Sequence, residues 1–335
     1  MRTAMRRLIG IAAAVTCMAA AIGPAAAAEK DKVTFVLDWI IYGRHTPYFV
    51  ALEKGIFAKN NIEAKVERGY GSAVGLRRLG AGQADFLFAD FGGLILARAN
   101  ENLRAKMVAL VYAKNNQAVF YLDSAPINTP KDLVGKRIAA APGSTLAALF
   151  PGFLRANGLD PASVKLINVD VQALNAVLLA KQFDGMLELN FNQALLEQQG
   201  EKDKLKPKYM LWADNKYSFY ANGIITTDEM IANKPDLVKR FVASIVEAMQ
   251  YSFDHPDEAC AMLRKNAPSV EQNICLKELA LVKDVAVTDE TKKDGLGFAS
   301  RAGVERTIAV MREYMNLKGT VAPDEVYTMG FLPKH

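Results

Sequence analysis

Short apolar runs alternate along this chain with longer stretches that carry an apolar stripe, the pattern of an α/β protein. Val33–Leu37 predicts a first strand, and Thr46-Pro47 then caps a helix with proline at its first position. Gly55 stops that helix just past Lys54. Ala64–Arg68 predicts a strand, Ser72 starts a helix that ends near Gly80, and Asp85–Ala89 is a short buried strand before another helix. Met107–Tyr112 and Val119–Leu122 complete a first block. A second block begins near Asp123, with a capping box at Thr129-Pro130-Lys131-Asp132. Its strands are Arg137–Ala140, Val164–Val169, Gly185–Leu189 and Tyr209–Ala213. Helices are expected after Ser144, over Val171–Gln182 and up to about Gln199. Tyr217–Thr226 returns as a strand, and the rest is mostly helical, with Leu237, Phe241, Ile245 and Met249 on one face. Two βα blocks followed by a returning strand predict two lobes joined by two crossovers, with a ligand cleft between them that closes by hinge motion.

The first residues follow another pattern. Arg2, Arg6 and Arg7 precede an Ala-rich apolar stretch from Leu8 to Gly23, and Ala26-Ala27-Ala28 is a small-residue cleavage site. Residues 1–28 therefore read as an export signal, with a membrane anchor as the alternative. Arg6-Arg7 leaves the choice between the Sec and twin-arginine routes open. The whole chain of 335 residues has a net charge of +5, and loss of the three signal arginines lowers this to +2. A nucleic-acid partner then loses its electrostatic basis. A composition of 51% hydrophobic and 23% charged residues fits a folded globular protein, and the export signal then predicts a soluble periplasmic one, expected as a monomer. With only three cysteines and three histidines, no metal centre and no cofactor are expected. Cys17 leaves with the signal, so Cys260 and Cys275 remain as an even pair in an oxidising compartment. A disulfide between them closes about 15 residues and stabilises by roughly 3 kcal/mol. The alternative is two separate buried thiols.

Three segments carry a resemblance. They are Leu37-Asp38-Trp39 with His45-Thr46-Pro47-Tyr48-Phe49-Val50-Ala51-Leu52-Glu53-Lys54-Gly55-Ile56-Phe57, then Gly80-Ala81-Gly82-Gln83-Ala84-Asp85-Phe86, and Ile127 to Lys136. The chain resembles, over about residues 33–255, the periplasmic substrate-binding proteins of ABC importers for thiamine pyrimidine precursors, nitrate, sulfonates and taurine. The resemblance implies a two-lobed type II periplasmic binding fold, no catalysis, and a permease with its ATPase as partners. The block pattern places lobe 1 over 29–122, lobe 2 over 123–216, and a return to lobe 1 over 217–335. Asp38-Trp39 is similar to the pyrimidine-precursor branch, where the Trp stacks on a flat heterocycle. Here Ile40-Ile41-Tyr42-Gly43 stands in place of that branch's Pro-Asn-Thr.

A binding cleft needs a few convergent polar groups on an apolar floor. Trp39, at the edge of the first strand, offers a flat face to a ring, or packs between loop and lobe. Tyr42, His45 and Tyr48 share its loop and the following helix start. Ser72 and, in the second lobe, Ser144 and Thr145 sit at helix starts, where they bind a ligand or cap their own helix. Asp90, before Phe91-Gly92-Gly93, accepts from a ligand amine or caps a helix, and Phe91 beside it is a further ligand-binding candidate. Glu188, in an apolar strand, needs a partner, and Asn190 and Asn192 stand beside it. Tyr217 lines the hinge side of the pocket or packs the lobes. Facing helix starts favour nitrate, taurine, another sulfonate or a small organic anion. Asp38, Asp90 and Glu188 favour an amino-bearing or neutral nitrogen heterocycle, and that reading is preferred. The pyrimidine synthases that share the fold carry a run of cysteines that this chain lacks, and no nucleophile-elbow, zincin or P-loop motif is present.

Overall fold

The computed structural model describes residues 29–334. The expected signal, residues 1–28, lies outside the described residues.

The described residues form ten strands: β1 (Asp31–Val36), β2 (Ile62–Glu67), β3 (Phe86–Asp90), β4 (Ala105–Leu110), β5 (Gln117–Leu122), β6 (Arg137–Ala140), β7 (Lys165–Asn168), β8 (Gly185–Leu189), β9 (Pro207–Leu211) and β10 (Asn222–Thr227). They make two sheets, ordered β2-β1-β3-β10-β4 and β7-β6-β8-β5-β9. The two orders are equivalent. In each, the fourth strand arrives from the other sheet and runs antiparallel to both neighbours. The remaining pairings are parallel, so those strands bring their carboxyl ends together, the end where α/β sheets bind ligands, and antiparallel β5 and β10 bring their amino ends to the same side, with Gln117 opposite Leu189 and Asn222 opposite Asp90.

Three expectations are corrected here. Val119–Leu122 was expected to finish the first block, but β5 pairs with β8 and β9 in the second sheet. The change of sheet therefore falls between Leu110 and Gln117, ahead of the expected boundary at 122/123. Apolar content could not reveal this, because β5 is buried whichever sheet it joins. Likewise, the returning strand begins at Asn222, and the apolar residues from Trp212 to Ala221 are crossover. The expected helix over Val171–Gln182 is shorter, a 3-10 turn at Val171–Ala173 followed by an α-helix over Leu174–Leu179.

The first sheet is packed on both faces. Phe86 of β3 stacks on Phe241, their ring centroids 3.8 Å apart, and Phe35 meets the same ring edge-on. Phe241 belongs to the Pro235–Asp254 helix, which buries Leu237, Ile245 and Met249 on the face its spacing predicts. Each such side chain contributes about 1.5–3 kcal/mol by leaving water. A third apolar cluster lies on the second sheet, where Trp39 from the first lobe packs with Phe120, Ala139 and Met186. Cys260 and Cys275 are disulfide-bonded and join two of the C-terminal helices.

Candidate functional site

Seven of the expected residues meet at one cavity between the sheets. Asp38 follows β1, Asp90 ends β3 and caps the Phe91–Glu101 helix, and Ser72 opens the Ser72–Gly80 helix. Glu188 lies in β8, and Ser144 caps the helix that begins at Thr145. With Trp39 and Thr145, these side chains line a space of about 20 Å³, closed further by Arg44, Gln117, Leu146, Leu189 and Asn222. That is room for one water molecule, so entry of a ring requires the lobes to part. The lobes touch closely here. A Cβ on Gly71 would lie 2.3 Å from the Gly143 carbonyl oxygen, and one on Gly93 would lie 2.6 Å from Thr145 Cγ2.

A buried charge network forms the floor. His45 Nδ1 accepts the Tyr42 N–H at 3.1 Å, so its Nε2 carries the proton and donates to Asp38 Oδ1 at 2.7 Å. Asn222 Nδ2 donates to Asp38 Oδ2 at 2.9 Å, and Arg44 Nη2 lies 3.7 Å from Oδ1. Burial alone raises the Asp38 carboxyl, but Arg44, His45 and Asn222 together hold it below the usual carboxylate range. Burial, then Arg44, pushes His45 down, which keeps its imidazole neutral. The other two acids differ. Burial pushes Asp90 up to about 7, against hydrogen bonds from Gly93 N (2.8 Å) and Gln117 Nε2 (2.9 Å). Burial also raises Glu188, whose Oε1 accepts the Leu189 N–H at 2.8 Å.

Asp90 makes a pH prediction. Its folded pKa is raised, so between about 3.8 and about 7 the folded protein holds a proton that the unfolded chain releases. The stability it contributes is full below that window and is lost as pH rises through it. Asp90→Asn should flatten the decline in urea-measured stability across the window. An unchanged slope in the variant excludes this assignment.

Several buried polar atoms around the cavity have no partner among the described residues: Trp39 Nε1, Arg44 Nε and Gln117 Oε1. Buried polar groups are normally paired, so unspent donors and an acceptor at one cavity mark it as a place for a ligand. The inventory fits a molecule that both accepts hydrogen bonds, from Trp39 and Arg44, and donates them, to Gln117 and the acids.

The other expected residues lie elsewhere. His45 sits behind Asp38, fully enclosed, with both ring nitrogens bonded. Tyr48 and Phe91 are corrected to core positions, because their rings are consumed by packing, and Tyr217 takes the packing reading of its two. Tyr48 packs on Phe35 and Phe88, Phe91 lies in the apolar cluster behind β3, and Tyr217 packs on Trp212 and Phe219 at the crossover. Asn190 is buried with its Oδ1 unpaired but does not line the cavity. Asn192 is also off the cavity and donates to Asn175 Oδ1 at 2.7 Å. Arg44, Gln117 and Asn222 were missed. Their signal was polarity at the crossovers, in Asn115-Asn116-Gln117 and Asn222 beside apolar strands, and a lone Arg ahead of the Thr-Pro helix start.

Tyr42 faces a second, larger space. This groove of about 540 Å³ runs between the Ile40–Tyr42 loop, the Val171–Asn175 and Leu195–Gln199 segments, and Asn266–Glu278. The smaller cavity holds three convergent acids and two of the unspent donors, Trp39 Nε1 and Arg44 Nε, so it is the better candidate for recognition despite its size. Among the described residues, no group of three or more His, Cys, Asp or Glu is placed to hold a metal ion, and no helix is long and apolar enough to cross a membrane.

Comparison with known proteins agrees with this architecture. The chain is 26% identical over 330 residues to the riboflavin-binding protein RibY of Chloroflexus aurantiacus, covering 94% of this chain and 90% of that one. It is 21% identical over 309 residues to the 4-amino-5-hydroxymethyl-2-methylpyrimidine phosphate synthase of Legionella pneumophila, covering 91% and 93%. In fold it matches the alkanesulfonate-binding protein SsuA of Xanthomonas axonopodis pv. citri, bound to MOPS, with a TM-score of 0.69 at 14% identity, over 90% of this chain and 100% of that one. The fold is thus that of the periplasmic binding proteins. The family model described as NMT1/THI5 like matches residues 43–259, more than half of the sequence, and the chain belongs to the NMT1/THI5-like family.

Proposed function

We propose that this protein is an exported solute-binding protein that captures a small nitrogen heterocycle between its lobes and delivers it to an ABC permease and its ATPase. The observation that carries the reading is the cavity's unspent hydrogen-bonding inventory beside three acids and one committed guanidinium. An aminopyrimidine presents ring nitrogens to Trp39 and Arg44 and amine hydrogens to Gln117, Asp90 or Glu188. The names of two relatives point the same way, since riboflavin and a hydroxymethylpyrimidine are both flat nitrogen heterocycles. Ligand that bridges the lobes binds the closed form better and shifts the population toward it. The export reading of residues 1–28 supports a periplasmic location. Binding without turnover is favoured by His45, which is enclosed and fully bonded and so presents no nucleophile or base to a substrate.

The second reading is a small anion, favoured by the helix starts at Ser72, Asp90 and Ser144. Against it, Arg44 is already paired with Asp38, and two further acids face the same space. A thermal-shift and calorimetry panel separates the two. It would hold hydroxymethyl- and formylamino-pyrimidines, riboflavin, taurine, alkylsulfonates and nitrate. Heterocycles are expected to stabilise the protein, and Trp39→Ala to weaken them by about 1–3 kcal/mol. Stabilisation by sulfonates or nitrate alone overturns the heterocycle reading.

A further inference from the structure

The groove beside the cavity has a chemistry of its own. It shares one loop with the cavity: Trp39 and Arg44 face the small space, while Ile40, Ile41 and Tyr42 face the groove. The Arg44 guanidinium lies over the Tyr42 ring, 5.0 Å from its centroid, so this pair stands between the two spaces and has to swing aside, as the lobes part, for one ligand to occupy both. Burial, and then Glu188 on the cavity side, pushes the Tyr42 phenol up, with Glu278 on the groove side acting in the same direction. Arg68 lines the groove with an enclosed Nη2 that has no partner. Glu278 lines it too, 1% exposed, with Oε2 accepting the Arg44 N–H at 3.1 Å. The opposite wall is rich in amides: Asn175 Nδ2 donates to Gln199 Oε1 at 2.8 Å, and the Gln172 side chain has no hydrogen bond among the described residues. Gln198 Nε2 donates to Glu271 Oε2 at 2.7 Å and joins the lobes across the groove.

We propose that this groove is a second compartment of the binding site, which takes a neutral, polyhydroxylated arm of a two-part ligand whose flat ring is held at the inner cavity. The inference rests on the heterocycle reading above and extends it. A volume of about 540 Å³ suits a substantial molecular fragment. One cation, Arg68, stands against two acids, Glu271 and Glu278, so an anionic arm is disfavoured. Hydroxyl groups both donate and accept, which matches a wall of amides with an acid and an unspent guanidinium N–H. A single-ring ligand with no arm leaves these groups to water.

Calorimetry with riboflavin, a ring system bearing a polyhydroxyl chain, and lumichrome, the same ring system without it, tests this directly. The native protein is expected to bind riboflavin at least about tenfold more tightly, the difference one or two well-made hydrogen bonds produce. Arg68→Ala and Gln172→Ala should each remove most of that difference and leave lumichrome affinity unchanged. Neither side chain pairs with another charged group among the described residues, so both variants are expected to fold, and circular dichroism checks that they do. Equal affinity for the two compounds, or equal losses of both in the variants, overturns the second compartment. Binding of a single-ring pyrimidine without riboflavin overturns it and leaves the heterocycle reading standing. Failure of every heterocycle to bind overturns both.

Discussion

Asp38→Ala is expected to cost about 3–5 kcal/mol of folding stability at neutral pH, the penalty for leaving a buried charge without its partner. Asp38 is the shared partner of three buried groups: it is ion-paired with the Arg44 guanidinium and accepts hydrogen bonds from the His45 Nε2–H and the Asn222 amide. Arg44 is only 2% exposed, so it does not recover its solvation by a small rotation. The loss should reach beyond the first lobe. Asn222 opens β10, which returns from the second sheet, and Arg44 lies against the interlobe cavity. Urea unfolding followed by tryptophan fluorescence and circular dichroism measures the effect. Arg44→Met in the Asp38→Ala background should recover a large part of it, because an apolar side chain of similar length needs no counter-charge. A single variant within 1 kcal/mol of the native protein would mean that Arg44 is hydrated in solution, and hence that the lobes stand apart more than the structure shows.

The fold was legible wherever local chemistry and burial agree. Thr129-Pro130 and Ser144 mark turn and helix starts because caps and proline act within a few residues, and Pro47 marks a helix start too, although the expected cap Thr46 is itself the first helical residue and bonds the Gly43 carbonyl instead. The face of the Pro235–Asp254 helix was legible from spacing alone. The membership of β5 was not, because hydrophobicity reports that a strand is buried and carries no information on its partners. The site divides on the same line. Acids in apolar strands, Asp38, Asp90 and Glu188, stand out against their surroundings and do converge on the cavity. Aromatic side chains give no such contrast. Trp39 reaches the cavity while Tyr48, Phe91 and Tyr217 fill cores, and only tertiary packing separates them. Glu278 was invisible for a different reason. It lies far along the chain on a helix whose sequence is amphipathic, and its role comes from contact with the Gly43-Arg44 backbone.

That contact leads to the second large effect. Replacement of Cys260 and Cys275 by serine together is expected to destabilise the protein by about 3 kcal/mol, through loss of a constraint on the unfolded chain over a separation of 15 residues. The consequence should not stop at stability. Cys275 lies on the helix that carries Glu278, one turn away, and Glu278 Oε2 holds the Arg44 N–H. Gly43 packs so closely on this helix that a Cβ would lie 2.6 Å from the Cys275 Cα, and Thr46 Oγ1 lies 3.2 Å from Cys275 Sγ. The turn that presents Arg44 and His45 to Asp38 is therefore braced by the disulfide-bonded helix pair. Reduction of the native protein, like the double substitution, should weaken ligand severalfold as well as lower the urea midpoint. Glu278→Gln keeps the packing and the disulfide but weakens the brace, so it should lower affinity with a smaller change in stability. Affinity that survives both changes, with only the unfolding midpoint moved, would show that the helix pair steadies the first lobe without setting the geometry of its binding turn.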